Sequence, residues 1–272
     1  MSLEQYESSV EEARPVFLYL FTLGTRSWRY TSAATDELTL DGYVWQASAM
    51  SHTSVRQTGD SSSDTLTIEA PIGVGPAQVY LLNPPTNPIS LRIFQKDAAD
   101  SQAVAMYAGE VKQVNFPAPG KASIACETLS ATLRREGLRF VWQRSCPYAL
   151  YDPLTCKVNK ASYAVSGAIT NVDGFSMTVD STLTAEVYAG GFFEFSHPVK
   201  GTEFLAIESQ TGTNQVRVFG TTADLYPGMT VTLYRGCNRS PSACASFNNF
   251  NNYGGIPALP GKSPFDSSPV FY

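Results

Sequence analysis

Along most of the chain, apolar and polar positions alternate in short runs that end at Gly, Pro, Asp or Ser. That is the period of a strand with one buried face. Phe17–Leu23 (FLYLFTL), Tyr43–Ser48 (YVWQAS), Asp64–Ala70 (DTLTIEA), Ile89–Gln95 (ISLRIFQ) and Tyr107–Phe116 (YAGEVKQVNF) are such runs, rich in β-branched and aromatic residues. In TLTIEA the alternation places Leu66 and Ile68 on one face and Thr65, Thr67 and Glu69 on the other. Leu40-Asp41-Gly42-Tyr43 carries an Asp-Gly hairpin signal between two strand-like runs.

The texture changes between Ala125 and Arg144, where CETLSATLRREGLRFVWQR is the best helical or mixed stretch, interrupted by Gly137. Alternation then returns in six segments: AVSGAITNV, FSMTVDS, FFEFSH, EFLAIESQTG, QVRVFGTT and GMTVTLYRG. Six strand-length runs at regular spacing predict a small sandwich or barrel. The last stretch, from Ala245 to Tyr272, has no period. Its aromatics, including Phe247, Phe250, Tyr253, Phe265, Phe271 and Tyr272, predict an ordered, extended segment packed on a surface. The chain is therefore expected to be mainly β, with few short helices. It divides into a β-rich domain over 1–122, a mixed linker over 123–160, an inserted small β-domain over 161–234 and a closing segment over 235–272.

Four of the five cysteines flank the inserted domain. Cys146 and Cys156 bracket nine residues just before it, and Cys237 and Cys244 bracket six just after it. If the four thiols meet, they close the neck of the insertion, offsetting part of the entropy of closing a long loop. The residues alone leave packing, disulfides, a structural zinc site or an iron–sulfur cluster open. The gaps are wider than the usual zinc spacing and match neither common ferredoxin run, which favours a cluster over zinc. Cys126 alternates with Ile124 on one strand face and reads as a core residue.

Composition narrows the function classes. The chain is 43% hydrophobic and 16% charged, which is ordered-globular rather than disordered. A net charge of −5 argues against a nucleic-acid binder. No apolar run approaches the roughly 18 residues of a membrane span. The acidic, polar N-terminus lacks the pattern of a secretory signal, so folding in a reducing cytosol is expected, where structural disulfides are disfavoured. His52 and His197 sit in turn-like contexts without a companion nucleophile and read as structural. PGKSP at 260–264 fails as a phosphate loop, because Ile256 stands where its first glycine belongs. No catalytic residue is assigned. Arg134, Arg135, Arg139 and Arg144, just before Cys146, read either as a solvated face or as counter-charge to a thiolate-ligated centre.

Four stretches carry a resemblance: FLYLFTLGTRSWRYTSAATDELTLDGYVWQASAM, VRQTGDSSSDTLTIEAP, CPYALYDPLTC and CNRSPSACASFNNFNNYGGIPALPGKSPF. Together they resemble, along nearly the whole chain, the hub proteins of long-tailed bacteriophage tail tips and of gene transfer agents. The resemblance implies an N-terminal β-barrel or sandwich hub domain and a C-terminal region carrying an inserted small barrel. It implies a non-enzymatic virion component, assembled in the host bacterial cytoplasm as a homotrimer. Its partners would be the distal tail protein, the central fibre or spike hub and the tape measure, with no sequence-specific nucleic acid and no membrane span. It further implies a [4Fe–4S] cluster held by Cys146, Cys156, Cys237 and Cys244, with zinc as the fallback. The rival readings are a host-surface carbohydrate-binding module displaying Tyr188, Phe192 and Phe193, and an electron-transfer protein.

Overall fold

A computed structural model of the chain describes residues 15–38, 42–55, 65–97, 103–128, 141–184 and 187–259. It is mainly β and falls into two compact units: Met1–Arg135 with His197–Glu203, and Glu136–Ser196 with Phe204–Tyr272.

The first unit is built on one nine-stranded sheet. Its strands are β1 (Pro15–Leu23), β2 (Arg26–Thr31), β3 (Glu37–Leu38), β4 (Val44–Ala47), β5 (Ser51–His52), β6 (Thr65–Pro71), β7 (Ser90–Asp97), β8 (Val104–Ala118) and β9 (Lys121–Thr128). They lie in the order β3-β4-β2-β1-β7-β8-β9-β6-β5. A short helix, α1 (Gly75–Val79), carries Pro76 in its first turn, where a missing N–H costs nothing.

Alternation explains the core. Tyr19, Phe21 and Leu23 of β1 share a buried cluster with Leu66 and Ile68 of β6, Leu91 and Ile93 of β7, and Ile124 and Cys126 of β9. Leu66 faces Cys126 and Ile68 faces Ile124 across the β6–β9 ladder, so one register serves both strands. The stretch beginning at Cys126 is not helical at its start, because Cys126–Thr128 close β9. Most of the remainder, with Arg134, Arg135 and Arg139, lies outside the described residues. The pairing around the Asp-Gly signal is present, with Leu38 opposite Val44, although Leu40 and Asp41 themselves lie outside.

Both histidines are structural. His52 Nδ1 is 2.8 Å from the Tyr19 hydroxyl, and its ring meets Phe17 edge-on at 4.6 Å. His197 Nδ1 accepts the amides of Val199 and Lys200, each at 3.1 Å, and so shapes its own turn. Within the same unit the buried Glu203 carboxylate accepts the Thr86 amide at 2.9 Å and its hydroxyl at 2.8 Å.

The second unit holds a closed six-stranded barrel, apart from the His197–Glu203 stretch at one of its turns, which is grouped with the first unit. Strands β10 (Ala164–Asp173), β11 (Ser176–Val179), β12 (Phe192–His197), β13 (Gly201–Thr211), β14 (Gln215–Val218) and β15 (Thr230–Tyr234) run in the order β10-β11-β14-β13-β12-β15. Closure comes from β10 and β15, antiparallel from Ala164 opposite Tyr234 to Ala168 opposite Thr230. Ile169, Met177, Val179, Phe193, Phe195, Ile207, Val216, Val218, Val231 and Leu233 fill the interior. Among the described residues no helix is long and apolar enough to cross a membrane.

Cys126 is fully buried, and burial pushes its thiol pKa up to about 12. In the native protein it should resist thiol reagents that reach the other cysteines. Cys126→Ser places a hydroxyl among Leu66, Ile124 and Val111, and should cost about 1–3 kcal/mol of stability. Denaturant unfolding measures this. A midpoint unchanged from wild type would show that the site is not a packed core position.

Candidate metal centre

Two loop segments of the second unit carry the four remaining cysteines, and each is shaped by its own sequence. In Tyr151-Asp152-Pro153-Leu154-Thr155-Cys156 the Asp152 carboxylate accepts the Thr155 amide at 2.9 Å and the Thr155 hydroxyl. The hydroxyl bond leads in holding the Asp152 pKa below its ordinary value. The Asp152 carbonyl accepts the Lys157 amide at 2.8 Å. This is a side-chain-closed turn, and it fixes where Cys156 leaves the chain.

In Cys237-Asn238-Arg239-Ser240-Pro241 the Ser240 side chain caps a short helix, α2 (Pro241–Ser246), by accepting the Ala243 amide at 3.1 Å. Cys244 is carried on α2. The closing segment is therefore not simply extended, since it holds α2 and a further helical turn at Phe250–Asn252. Its aromatics divide. Phe247 is buried, Phe250 is half exposed and stacks on Tyr253 with ring centroids 5.8 Å apart, and Phe265, Phe271 and Tyr272 lie outside the described residues.

The two segments are sewn together by main-chain bonds. The Cys146 amide donates to Arg239 O at 3.0 Å, and the Ile256 amide to Gln143 O at 2.9 Å. The Tyr253 hydroxyl reaches Arg144 O at 2.6 Å and Arg239 O at 3.2 Å. Arg144 itself donates from Nε to Leu259 O at 2.6 Å, so it ties down the closing segment. The Gly254-Gly255 pair permits the approach. A Cβ on Gly254 would stand 2.4 Å from the Tyr148 ring, and one on Gly255 would stand 2.5 Å from Arg144 O.

Cys146, Cys156, Cys237 and Cys244 consequently line one cavity of about 260 Å³, together with Phe192 and Phe247. All four are free thiols. Cys244 is buried and the other three are half-buried. Burial, then the charge of Cys146, Cys156 and Cys237, raises the Cys244 pKa above its ordinary value, as expected where four thiols face one another. N–H groups point at two of the sulfurs. The Arg239 amide is 3.3 Å from Cys237 Sγ, and Asn249 Nδ2 is 3.8 Å from Cys156 Sγ. Among the described residues, the non-glycine positions with positive φ are Tyr151, Lys157, Arg239 and Asn248, all in these cysteine loops. Strained backbone gathered at one place marks a site that the surrounding structure over-determines. Among the described residues no group of three or more His, Cys, Asp or Glu is placed to hold a single metal ion.

Behind the cavity stands an aromatic wall. Phe192 stacks on Tyr234 at 4.9 Å, and Tyr151 meets Phe192, Tyr234 and Phe247 edge-on at 6.2, 6.2 and 6.3 Å. Lys160 Nζ pairs with Glu194 and lies 4.5 Å from the Tyr234 ring centroid. Arg235 lies over Phe247 at 4.9 Å, and the Tyr151 hydroxyl donates to Arg235 O at 2.9 Å. The aromatics proposed for a carbohydrate surface do not form one. Tyr188 and Phe193 are buried in the barrel core, and Phe192 is engaged in this wall. The alternation carried the signal, since outward Glu194 sends its neighbours Phe193 and Phe195 inward.

Residues 11–159, more than half of the chain and including Cys146 and Cys156, match the family described as "Baseplate hub protein, N-terminal attachment domain". The chain belongs to this family of phage baseplate hub proteins. Residues 186–263, with Cys237 and Cys244, match a second family, described as "Phage conserved hypothetical protein BR0599". This baseplate hub chain thus carries one cysteine pair in each matched region. Its fold is similar to that of a chain in the solved structure "Virion of native gene transfer agent (GTA) particle". The TM-score is 0.77 at 18% identity, covering 99% of this chain and 96% of the other. No curated protein sequence matches the chain.

The Gly255 approach gives a direct test. Gly255→Ala must push the closing segment off Arg144 and Ser145, at a cost of about 1–3 kcal/mol. Amide exchange at Ile256 and thiol labelling of Cys146 should both accelerate, while exchange in the barrel strands stays as in wild type. Unchanged exchange at Ile256 would contradict the close-approach argument.

Proposed function

We propose that this baseplate hub protein is a non-enzymatic ring subunit of the phage tail tip. In this reading it assembles as a homotrimer that continues the tail tube and joins the distal tail protein to the central fibre or spike, with the tape measure as a further neighbour. Membership of the baseplate hub family supports the assembly role. A [4Fe–4S] cluster bound by Cys146, Cys156, Cys237 and Cys244 pins its two cysteine segments together.

The observation that carries the cluster assignment is the convergence of all four thiols on one cavity, with N–H donors aimed at two of the sulfurs. The residues fit that group. Thiolates around one zinc ion stand about 3.8 Å apart, as 2.3 Å bonds in a tetrahedron require. In a four-iron cluster each thiolate binds its own iron, so the sulfurs spread around a larger object. When bound, the cluster supplies iron–thiolate bonds whose free energy is also folding free energy. The chain's own part is to hold the thiols in place, donate N–H groups to sulfur, and screen one side with the aromatic wall.

Anaerobically purified protein should be brown and contain about four irons and four sulfides per chain. Cys237→Ser should lose most of that iron and stop tail assembly. Colourless, zinc-bearing wild-type protein would overturn the cluster. A normal yield of infectious particles from the Cys237→Ser mutant would overturn its structural role.

A further inference from the structure

One polar residue of the closing segment touches both cysteine pairs. Helix α2 ends in a Schellman motif. The Asn248 amide bonds Ala245 O at 2.8 Å, and the Asn249 amide returns to Cys244 O at 3.1 Å. Asn248, at φ 52°, takes the left-handed position usually given to glycine. In this motif the residue after the left-handed one commonly packs an apolar side chain back on the helix. Here that position is Asn249, and the helix residue it returns to is Cys244.

Asn249 is fully used. Its carbonyl accepts from Cys244 Sγ at 3.2 Å. Its Nδ2 donates to Cys156 O at 2.6 Å and lies 3.8 Å from Cys156 Sγ. Its Oδ1 accepts from Asn252 Nδ2 at 2.7 Å, which fixes which end of the amide faces the cysteine. Two ligands from segments far apart in the sequence are thereby located by one residue, on the rim of the cavity it lines.

We propose that Asn249 is a positioning residue for the metal centre: it sets Cys156 in register with Cys244 and presents an N–H to the Cys156 sulfur. This rests on the cluster reading above. An N–H directed at a ligand sulfur withdraws electron density from it, favours the reduced centre and raises its potential. A carboxylate at the same place does the opposite.

The test compares wild type with Asn249→Leu and Asn249→Asp, near-isosteric side chains that lack the donor, and with Asn252→Ala, which leaves Asn249 in place but frees its amide. Iron content, midpoint potential and the rate of iron loss to a chelator are measured on anaerobically purified full-length protein. The midpoint potential should fall in the order wild type, Asn252→Ala, Asn249→Leu, Asn249→Asp. Iron loss from both Asn249 variants should be about 10-fold faster or more, the usual scale for an outer-shell partner. Iron-loaded variants whose potential matches wild type overturn the role of Asn249 and leave the cluster intact. Wild-type protein without iron overturns the cluster and this inference together. Should the Asn249 variants not fold, Asn252→Ala decides, and a potential equal to wild type is then the overturning result.

Discussion

The antiparallel pairing of β10 with β15 governs the second unit. It joins the first and last strands of the barrel, so the chain enters and leaves the barrel at neighbouring points. Cys156 lies eight residues before Ala164, and Cys237 lies three residues after Tyr234. Once that ladder forms, the two cysteine segments start side by side. The long loop between them is thus already closed by ordinary strand pairing and a buried interior. A metal clip is not needed to bear that entropy. The loops at the neck, by contrast, have little apolar core of their own and depend on caps, tight turns and main-chain bonds.

Division of labour follows from that arrangement. The barrel supplies a rigid base through Phe193, Phe195, Val231 and Leu233, and residues of its β12 and β15 turn outward to build the aromatic wall. The loops supply the four cysteines. Positive-φ residues, a carboxylate-closed turn and a Schellman cap bend them into place, and Gly254 and Gly255 let the closing segment lie against Arg144, Ser145 and Tyr148. Lys160 and Arg235 bring positive charge to the faces of Tyr234 and Phe247. The aromatic wall is therefore itself held by cation–ring contacts.

How much of this was legible in the sequence depended on the range of the interaction. Strands are local, so Leu66 opposite Cys126 and the six barrel strands could be read from alternation. Clustered cysteines are rare enough in an otherwise unremarkable composition to stand out by spacing alone. Helix α2 was hidden, because six residues give too little period and its signal, Ser240-Pro241 as cap and first turn, is short. Asn249 was also hidden. One asparagine in an Asn-rich stretch has no distinguishing pattern, and its importance arises only when a helix cap folds it back on Cys244. Tyr188 and Phe193 show the opposite failure. An aromatic residue suits a binding face and a core equally well; for Phe193 the pleat around Glu194 decides between them, and Tyr188 precedes the strand and enters the core without any alternation to announce it.

The closing segment has a consequence for the order in which the protein matures. A ribosome delivers the chain from its N-terminus, so Cys146 and Cys156 emerge before the barrel is even translated. Cys237 and Cys244 follow it, and Asn249, Tyr253, Gly254 and Gly255 come later still. All six barrel strands are thus delivered while the residues that complete the thiol cavity are still to come. The cavity is therefore completed after its base, by residues that follow the last barrel strand in the sequence.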